Sequence, residues 1–431
     1  MIDGDSARIP TRRTVLGLSA VAVAGLIGGC ARGTQTGAAP AGEVTLNNDN
    51  PTWDPGYASA SGPLGSRTGY RLAVRAVPDV STYQQVVRMS AQTDSSTDLV
   101  KWWNGYRLQD LARGGLLSDL SDAWDKAEAN HWVQPSMRAS FSQDGKPYAV
   151  PLYKSYYAVF YSKRAFARVG ATVPRTWAAF LATAGRLKAA GVTPIAASGA
   201  SSWESLIWFS QLLIGADPDY YTAVTNNRAS YTDAPAQRAM KQWSQMYAAG
   251  LFSTPDFDGA SIPADFRSGK VGMTLSGTWN TNTYTTAGLT PADYGIFLLP
   301  PVTPGVPPAV TIESGALAVP VNAHKPDAAR RVVAAWLADD VQRKWVGFLQ
   351  DTSANPAVVP NVPAIRELAQ QVARVRPREM VRYWEASPPT LIEDNVNDLS
   401  SFMVSPTPAK GRQALSSMQA RSQRVWKEWE T

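Results

Sequence analysis

The chain has 431 residues, a formal net charge of +6 at pH 7, 44% hydrophobic residues and a single cysteine, Cys30. That length exceeds what one hydrophobic core usually supports, so the composition predicts a globular protein of two lobes. One thiol excludes a disulfide framework and any cysteine-based zinc site, and a mild positive balance without a lysine or arginine block argues against nucleic acid as a partner.

At the N-terminus, Thr11-Arg12-Arg13-Thr14 precedes an apolar run from Val15 to Ile27 that ends at Gly28-Gly29-Cys30. The run is shorter than the ~20 residues of a bilayer span, so residues 1–29 read as a cleaved signal peptide. Its paired arginines resemble a twin-arginine (Tat) signal, with Sec export as the other route. Ile27-Gly28-Gly29-Cys30 resembles a lipobox, whose small residues admit a peptidase to the bond before a lipidated cysteine. Two acyl chains on Cys30 would anchor the mature protein to the outer leaflet of the cell membrane, outside the cytoplasm. Residues 30–42, rich in Gly, Ala, Thr and Pro, then read as the lipidated cysteine and a flexible linker.

Glu43 begins the first strand, and a long polar, Gly-rich segment from Asn47 to Gly69 separates it from the alternating strand Tyr70–Val77. A helix is expected from Ser81 to Met89, a buried strand from Asp98 to Trp103, and a helix from Leu108 that ends near Gly114-Gly115. This alternation implies parallel βαβ units. Val150 to Tyr161 reads as one aromatic strand, and Thr176 to Ala190 as a helix stopped by Gly191. Short elements follow at Ala264–Gly269, Val271–Leu275 and Tyr294–Leu299, and the chain beyond Asp327 is mainly helical, including Ala328–Leu349 and Lys410–Trp429.

In open α/β sheets ligands bind beyond the carboxyl ends of strands. Trp102, Trp103 and Asn104 stand at such an end. Neighbours on a strand face opposite ways, so one of the two indoles faces the ligand and the other the core, without the sequence choosing between them. Asp49, Asn50 and Trp53 follow the first strand in the same manner. His131 and His324 have no G-x-S-x-G or H-E-x-x-H neighbour, and no phosphate-cradling glycine loop opens a helix, so the reading assigns no catalytic residue, no metal and no cofactor.

A series of segments carries a family resemblance: Thr97-Asp98-Leu99-Val100-Lys101-Trp102-Trp103, Gly114–Leu120, Asp144-Gly145-Lys146-Pro147-Tyr148, Phe160–Lys163, Pro174–Trp177, Phe266–Met273 and Ser276-Gly277-Thr278-Trp279. In this order they resemble the extracellular solute-binding proteins that include the maltose-binding and other sugar-binding proteins of ABC importers. Ser162 and Thr97 depart from the usual Asn and Pro of that pattern.

The resemblance implies an α/β, two-lobed periplasmic-binding-protein fold of type II, maltose-binding-protein-like, with an interlobe ligand cleft and several crossover segments. On it, lobe 1 would comprise residues 43–152 plus about 310–365, and lobe 2 residues 153–309 plus about 366–431. It implies a monomer that is not an enzyme. Its partners would be a small-molecule carbohydrate and the transmembrane permease subunits of an ABC importer with a cytoplasmic ATPase, with no nucleic acid.

Aromatic planes suit the C–H face of a sugar, and charged or amide side chains suit its hydroxyl rim. Trp279 and Asn280 match a stacking position of the family. Tyr153, Tyr156 and Tyr157 fall on a crossing between lobes, where alternation sends Tyr156 the other way. Trp203 and Glu204 follow a Ser/Gly loop, Glu313 and Ser314 precede a return crossing, and Trp384 follows a charged helix. Each of these is a candidate ligand contact. The rival readings are an exported glycosidase built on two carboxylates, a binding lipoprotein for a polyol or glycerophosphodiester, and an adhesin or sensor partner.

Overall fold

The computed structural model describes residues 42–198 and 202–430. In chain order its strands are β1 (Glu43–Asn48), β2 (Arg71–Ala76), β3 (Leu99–Trp103), β4 (Ser142–Gln143), β5 (Lys146–Pro147), β6 (Ala149–Pro151) and β7 (Ser155–Ser162). They continue with β8 (Thr193–Ala196), β9 (Val271–Gly277), β10 (Tyr294–Phe297), β11 (Ala309–Glu313), β12 (Gly315–Ala318) and β13 (Arg378–Val381). The first sheet runs β2-β1-β3-β12-β6, and the second runs β13-β11-β7-β9-β8 with β10 also on β7. In the first sheet β1 lies parallel to β2 and β3, while β12 is antiparallel to β3 and β6. Among the described residues the two largest apolar clusters lie one on each sheet. That is the two-lobed α/β fold.

Val150 to Tyr161 is two strands rather than one. β6 ends in the first sheet and β7 begins in the second, with Leu152, Tyr153 and Lys154 crossing between them. The return crossing is Ser314, because β11 pairs with β7 and β13 while β12 pairs with β3. The change of sheet therefore falls at Ser314. A third crossing follows the helix Asp339–Leu349 and leads to Pro363–Val375, which packs on β10.

The three crossings are laced together. Leu152 N–H donates to the Gly315 carbonyl at 2.8 Å, and Lys154 N–H to that of Thr352 at 3.3 Å. The Asp351 carboxylate accepts from Thr278 Oγ1 at 2.6 Å, from the Thr352 amide at 2.7 Å and from Ser155 Oγ. Burial pushes its pKa up to about 7, against the pull of the Ser155 and Thr278 hydrogen bonds.

Two further sequence expectations need correcting. The polar stretch after β1 holds a 15-residue helix, Asp54–Thr68, with a proline in its first turn and Gly69 left-handed after its end. Its buried face is Gly56, Tyr57, Ala60, Ser61 and Leu64, mostly small residues that give little hydrophobic signal. Gly56 has to be glycine there, because a Cβ would run into the Phe348 ring. The stretch Ala328–Leu349 is two helices, Pro326–Trp336 and Asp339–Leu349, divided at Leu337-Ala338.

Candidate functional site

The carboxyl ends of β1 and β3 face the crossings, and charge is buried where they meet. Asp49, just past β1, pairs through Oδ2 with Lys101 of β3 at 2.8 Å. The Lys101 ammonium lies 4.3 Å from the Trp103 ring centroid and 5.7 Å from that of Trp53, so its charge is shared between a carboxylate and two π faces. Asp49 Oδ1 has no hydrogen-bond partner among the described residues.

Glu313, the last residue of β11, accepts from Tyr153 Oη at 3.2 Å and from Trp279 Nε1 at 3.0 Å, and its Oε2 lies 2.7 Å from Arg382 Nη1. Gly277 makes the Trp279 position possible, since a Cβ there would overlap the indole. Arg382, just after β13, also holds Glu385, with Nε 2.7 Å from Oε2. Burial opposes the Arg382 charge, but Glu313 and Glu385 outweigh it and keep the guanidinium firmly protonated. Such ions persist inside a protein only as a set, because removing one leaves the others desolvated and unpaired.

Arg107 is a third buried cation, 1% exposed. Its guanidinium carbon lies over Trp384, 3.9 Å from the ring centroid, with Nε donating to the Trp384 carbonyl at 3.2 Å and Nη1 to Glu393 at 3.1 Å. Burial pulls its pKa down to about 10, against the field of Glu393 and Glu385. Arg107 Nη2 has no hydrogen-bond partner among the described residues.

This cluster gathers Asp49, Trp53, Trp103, Tyr153, Trp279, Glu313 and Trp384 from the residues singled out in the sequence. Both indoles are buried in the first apolar cluster, but their contacts differ. Trp103 meets Lys101, whereas Trp102 is fully buried and gives its Nε1 proton to the Arg107 carbonyl at 2.9 Å. Asn50 is a cap, its Oδ1 accepting from the Thr52 amide and hydroxyl at 3.1 and 2.7 Å.

Tyr156 packs in a third apolar cluster beneath the second sheet, and Tyr157 in that sheet's main core, where burial raises its pKa against the pull of Arg382. Ser314 bonds the Tyr153 carbonyl within the crossing, and Asn280 donates to Ser276 Oγ at 2.7 Å. Asn104 and Ser314 line a separate opening of about 450 Å³ with Gln134, Ser140 and Glu379. Glu204 stands apart, accepting from the Ser198 amide at 2.6 Å, and burial raises its pKa to about 7. Cys30 with the export signal, and the side chain of Trp203, lie outside the described residues.

Sequence reasoning missed Lys101, Arg107, Arg382 and the crossing residue Asp351. Lys101 did leave a signal, since a lysine inside the buried run Leu99–Trp103 needs a partner. Arg382 left none, because its short strand carries no clear periodicity. Among the described residues no group of three or more His, Cys, Asp or Glu side chains could hold a metal ion, and no helix is long and apolar enough to cross a membrane.

Comparison with known proteins bears on what this cluster serves. The family model of the bacterial extracellular solute-binding proteins matches residues 66–343. A probable sugar-binding periplasmic protein of Brucella suis biovar 1 (strain 1330) is 27% identical over 221 residues, 50% of this chain and 51% of that protein. The multiple sugar-binding protein of Streptococcus mutans is 25% identical over 133 residues, 31% of this chain and 30% of that protein. The chain thus spans at most about half the length of these curated relatives. Among solved structures, the bacterial solute receptor AcbH, described as preferring β-D-galactopyranose, superposes with a TM-score of 0.78 at 21% identity, covering 90% of this chain and all of that one. A chitin oligosaccharide binding protein superposes with a TM-score of 0.74 at 16% identity, covering 89% and 98%. At these identities the likeness establishes the fold.

Proposed function

The chain belongs to the bacterial extracellular solute-binding proteins, and on that premise we propose that it is the lipid-anchored substrate-binding component of an ABC importer, capturing a mono- or oligosaccharide by lobe closure and delivering it to the membrane permease. This family is one of binding proteins, not enzymes. The observation that carries the reading is the buried cluster itself: rings from both sheets frame a charge array in which Asp49 Oδ1, an acceptor, and Arg107 Nη2, a donor, have no hydrogen-bond partner among the described residues. A sugar hydroxyl both donates and accepts, and its ring offers a C–H face to Trp103, Trp279 or Trp384.

A glycosidase needs one carboxyl free to deliver a proton. Here Asp49 is tied to Lys101 and Glu313 to Arg382, which favours holding a ligand over transforming it. The relatives named for sugar binding and the galactopyranose receptor support the ligand class. The proposed first lobe comprises residues 43–152 and 314–349, and the second residues 153–313 and 363–430. Contacts on both lobes stabilise the closed form, which is the form a permease would read.

The test is calorimetric titration with galactose, glucose, maltose, raffinose and chitobiose, alongside glycerol and glycerophosphocholine. Saturable heat from a sugar is expected. Heat only from the polyol or phosphodiester would replace the ligand class, and no heat from any of them would remove the reading. For the anchor, Cys30→Ala should move the exported protein from the membrane to the soluble fraction. A variant that stays with the membrane would overturn it.

A further inference from the structure

A second aromatic group spans the two sheets beside the charged cluster, on the helix that also carries Arg107. The helix Gly105–Arg113, which follows Trp103, sends Leu108 and Leu111 into the core of the first sheet. Tyr106 turns from that core toward the C-terminal helix Pro408–Trp429. Its ring meets Trp426 edge-on, centroids 5.3 Å apart, and Trp429 at 5.7 Å. The Arg113 guanidinium, seven residues on and so on the same face, lies 4.6 Å from the Trp429 centroid. Tyr106 Oη donates to Asn226 Oδ1 at 2.8 Å, and that amide is oriented by its own bond to the Thr222 carbonyl at 2.9 Å.

The C-terminal helix is anchored elsewhere. Ala414, Leu415 and Met418 pack in the core of the second sheet, while its last turn, with Val425, Trp426 and Trp429, joins Leu391 and Tyr106 in a small cluster of its own. One helix face thus belongs to each sheet, and the aromatic rings are where they touch. At the start of the helix Gly105–Arg113 the two backbones come so close that a Cβ on Gly105 would strike the Glu385 carbonyl.

We infer that Tyr106 and Arg113, gripped by Trp426 and Trp429, form a clasp that holds the two lobes together before ligand arrives and so sets ligand affinity from outside the binding site. Aromatic pairs of this geometry attract beyond the area they bury, enough to shift an open-closed balance. Apparent affinity scales with the fraction of molecules already in the binding-competent form, so weakening the clasp weakens binding without touching a ligand contact. The inference rests on the closure reading above, but its test needs no sugar.

With Cys30 the only native cysteine, spin labels can be placed on Gln85→Cys and Asn397→Cys in a Cys30→Ser background. These two exposed positions line opposite sides of one opening between the sheets. Pulsed EPR of the ligand-free protein should give one dominant short distance. Trp429→Ala and, separately, Tyr106→Ala should add a longer-distance population, Arg113→Gln should add less of it, and Trp429→Phe should restore the short distance. A wild-type protein already at the long distance would overturn the clasp, as would alanine variants indistinguishable from wild type while circular dichroism reports an intact fold. A sugar titration that fails leaves this outcome unaffected, so the two readings fall separately.

Discussion

Trp53 sits on the border between two aromatic regions that differ in what their rings touch. On one side it meets Trp345 edge-on at 5.6 Å, and Trp345 stacks with Tyr57 at 4.5 Å and packs against Trp336 at 5.4 Å. That side is core, and the Trp345 Nε1 proton has no acceptor among the described residues. On the other side Trp53 meets Tyr153 at 5.7 Å and lies beneath Lys101, and from there every ring faces an ionised group or hydrogen-bonds to one. The rings are alike, but the first region uses their area and the second their π faces and polar edges. Fifteen tryptophans are therefore no guide to a ligand site by themselves. A tryptophan beside a buried charge is a better one.

The largest effect should come from removing a charge. Arg382→Met leaves Glu313 and Glu385 buried without their shared cation, and urea denaturation should show a loss of about 3–5 kcal/mol. A loss below about 1 kcal/mol would mean the array is solvated rather than buried. Trp345→Ala, which empties core volume, should also cost about 3–5 kcal/mol in urea denaturation, but without altering ligand affinity in the fraction that folds. Weakened binding by the folded variant would erase the border drawn at Trp53.

A pH-dependent effect lies in the crossings. The folded chain holds the Asp351 proton up to about pH 7, against 3.8 for an ordinary aspartate. The folded state therefore binds more protons than the unfolded one across that window, and stability falls as pH rises through it, by up to about 1.4 kcal/mol per pH unit. Glu204, raised to about 7 in the same direction, adds its own share. Asp351→Asn should flatten the slope of urea stability against pH between 4 and 7, and an unchanged slope would assign the titration to another group. Smallest of all, Asn50→Ala should cost about 1 kcal/mol of stability as a lost cap while affinity stays the same.

Much of the fold could be read from the chain, and the reason is period. β1, β3 and the helix Trp177–Ala189 carry continuous or regularly spaced apolar residues. The helix Asp54–Thr68 could not, since its buried face is largely Gly, Ala and Ser and its contacts come from the distant helix Asp339–Leu349. In the candidate site the aromatic half was visible because large rings at strand ends stand out. The cationic half was not. Arg107 and Arg382 look like surface residues in a one-dimensional reading, and only the folded chain brings Glu393 to one and Glu313 to the other.

The central claim is that ligand is held where rings meet charges and not where rings meet rings. Its most direct test is a side-by-side titration of wild type, Trp279→Ala and Trp345→Ala with whichever sugar of the panel gives heat. Trp279→Ala should lose at least tenfold in affinity, about 1.4 kcal/mol, while folded Trp345→Ala keeps the wild-type value. Wild-type affinity in Trp279→Ala would contradict it.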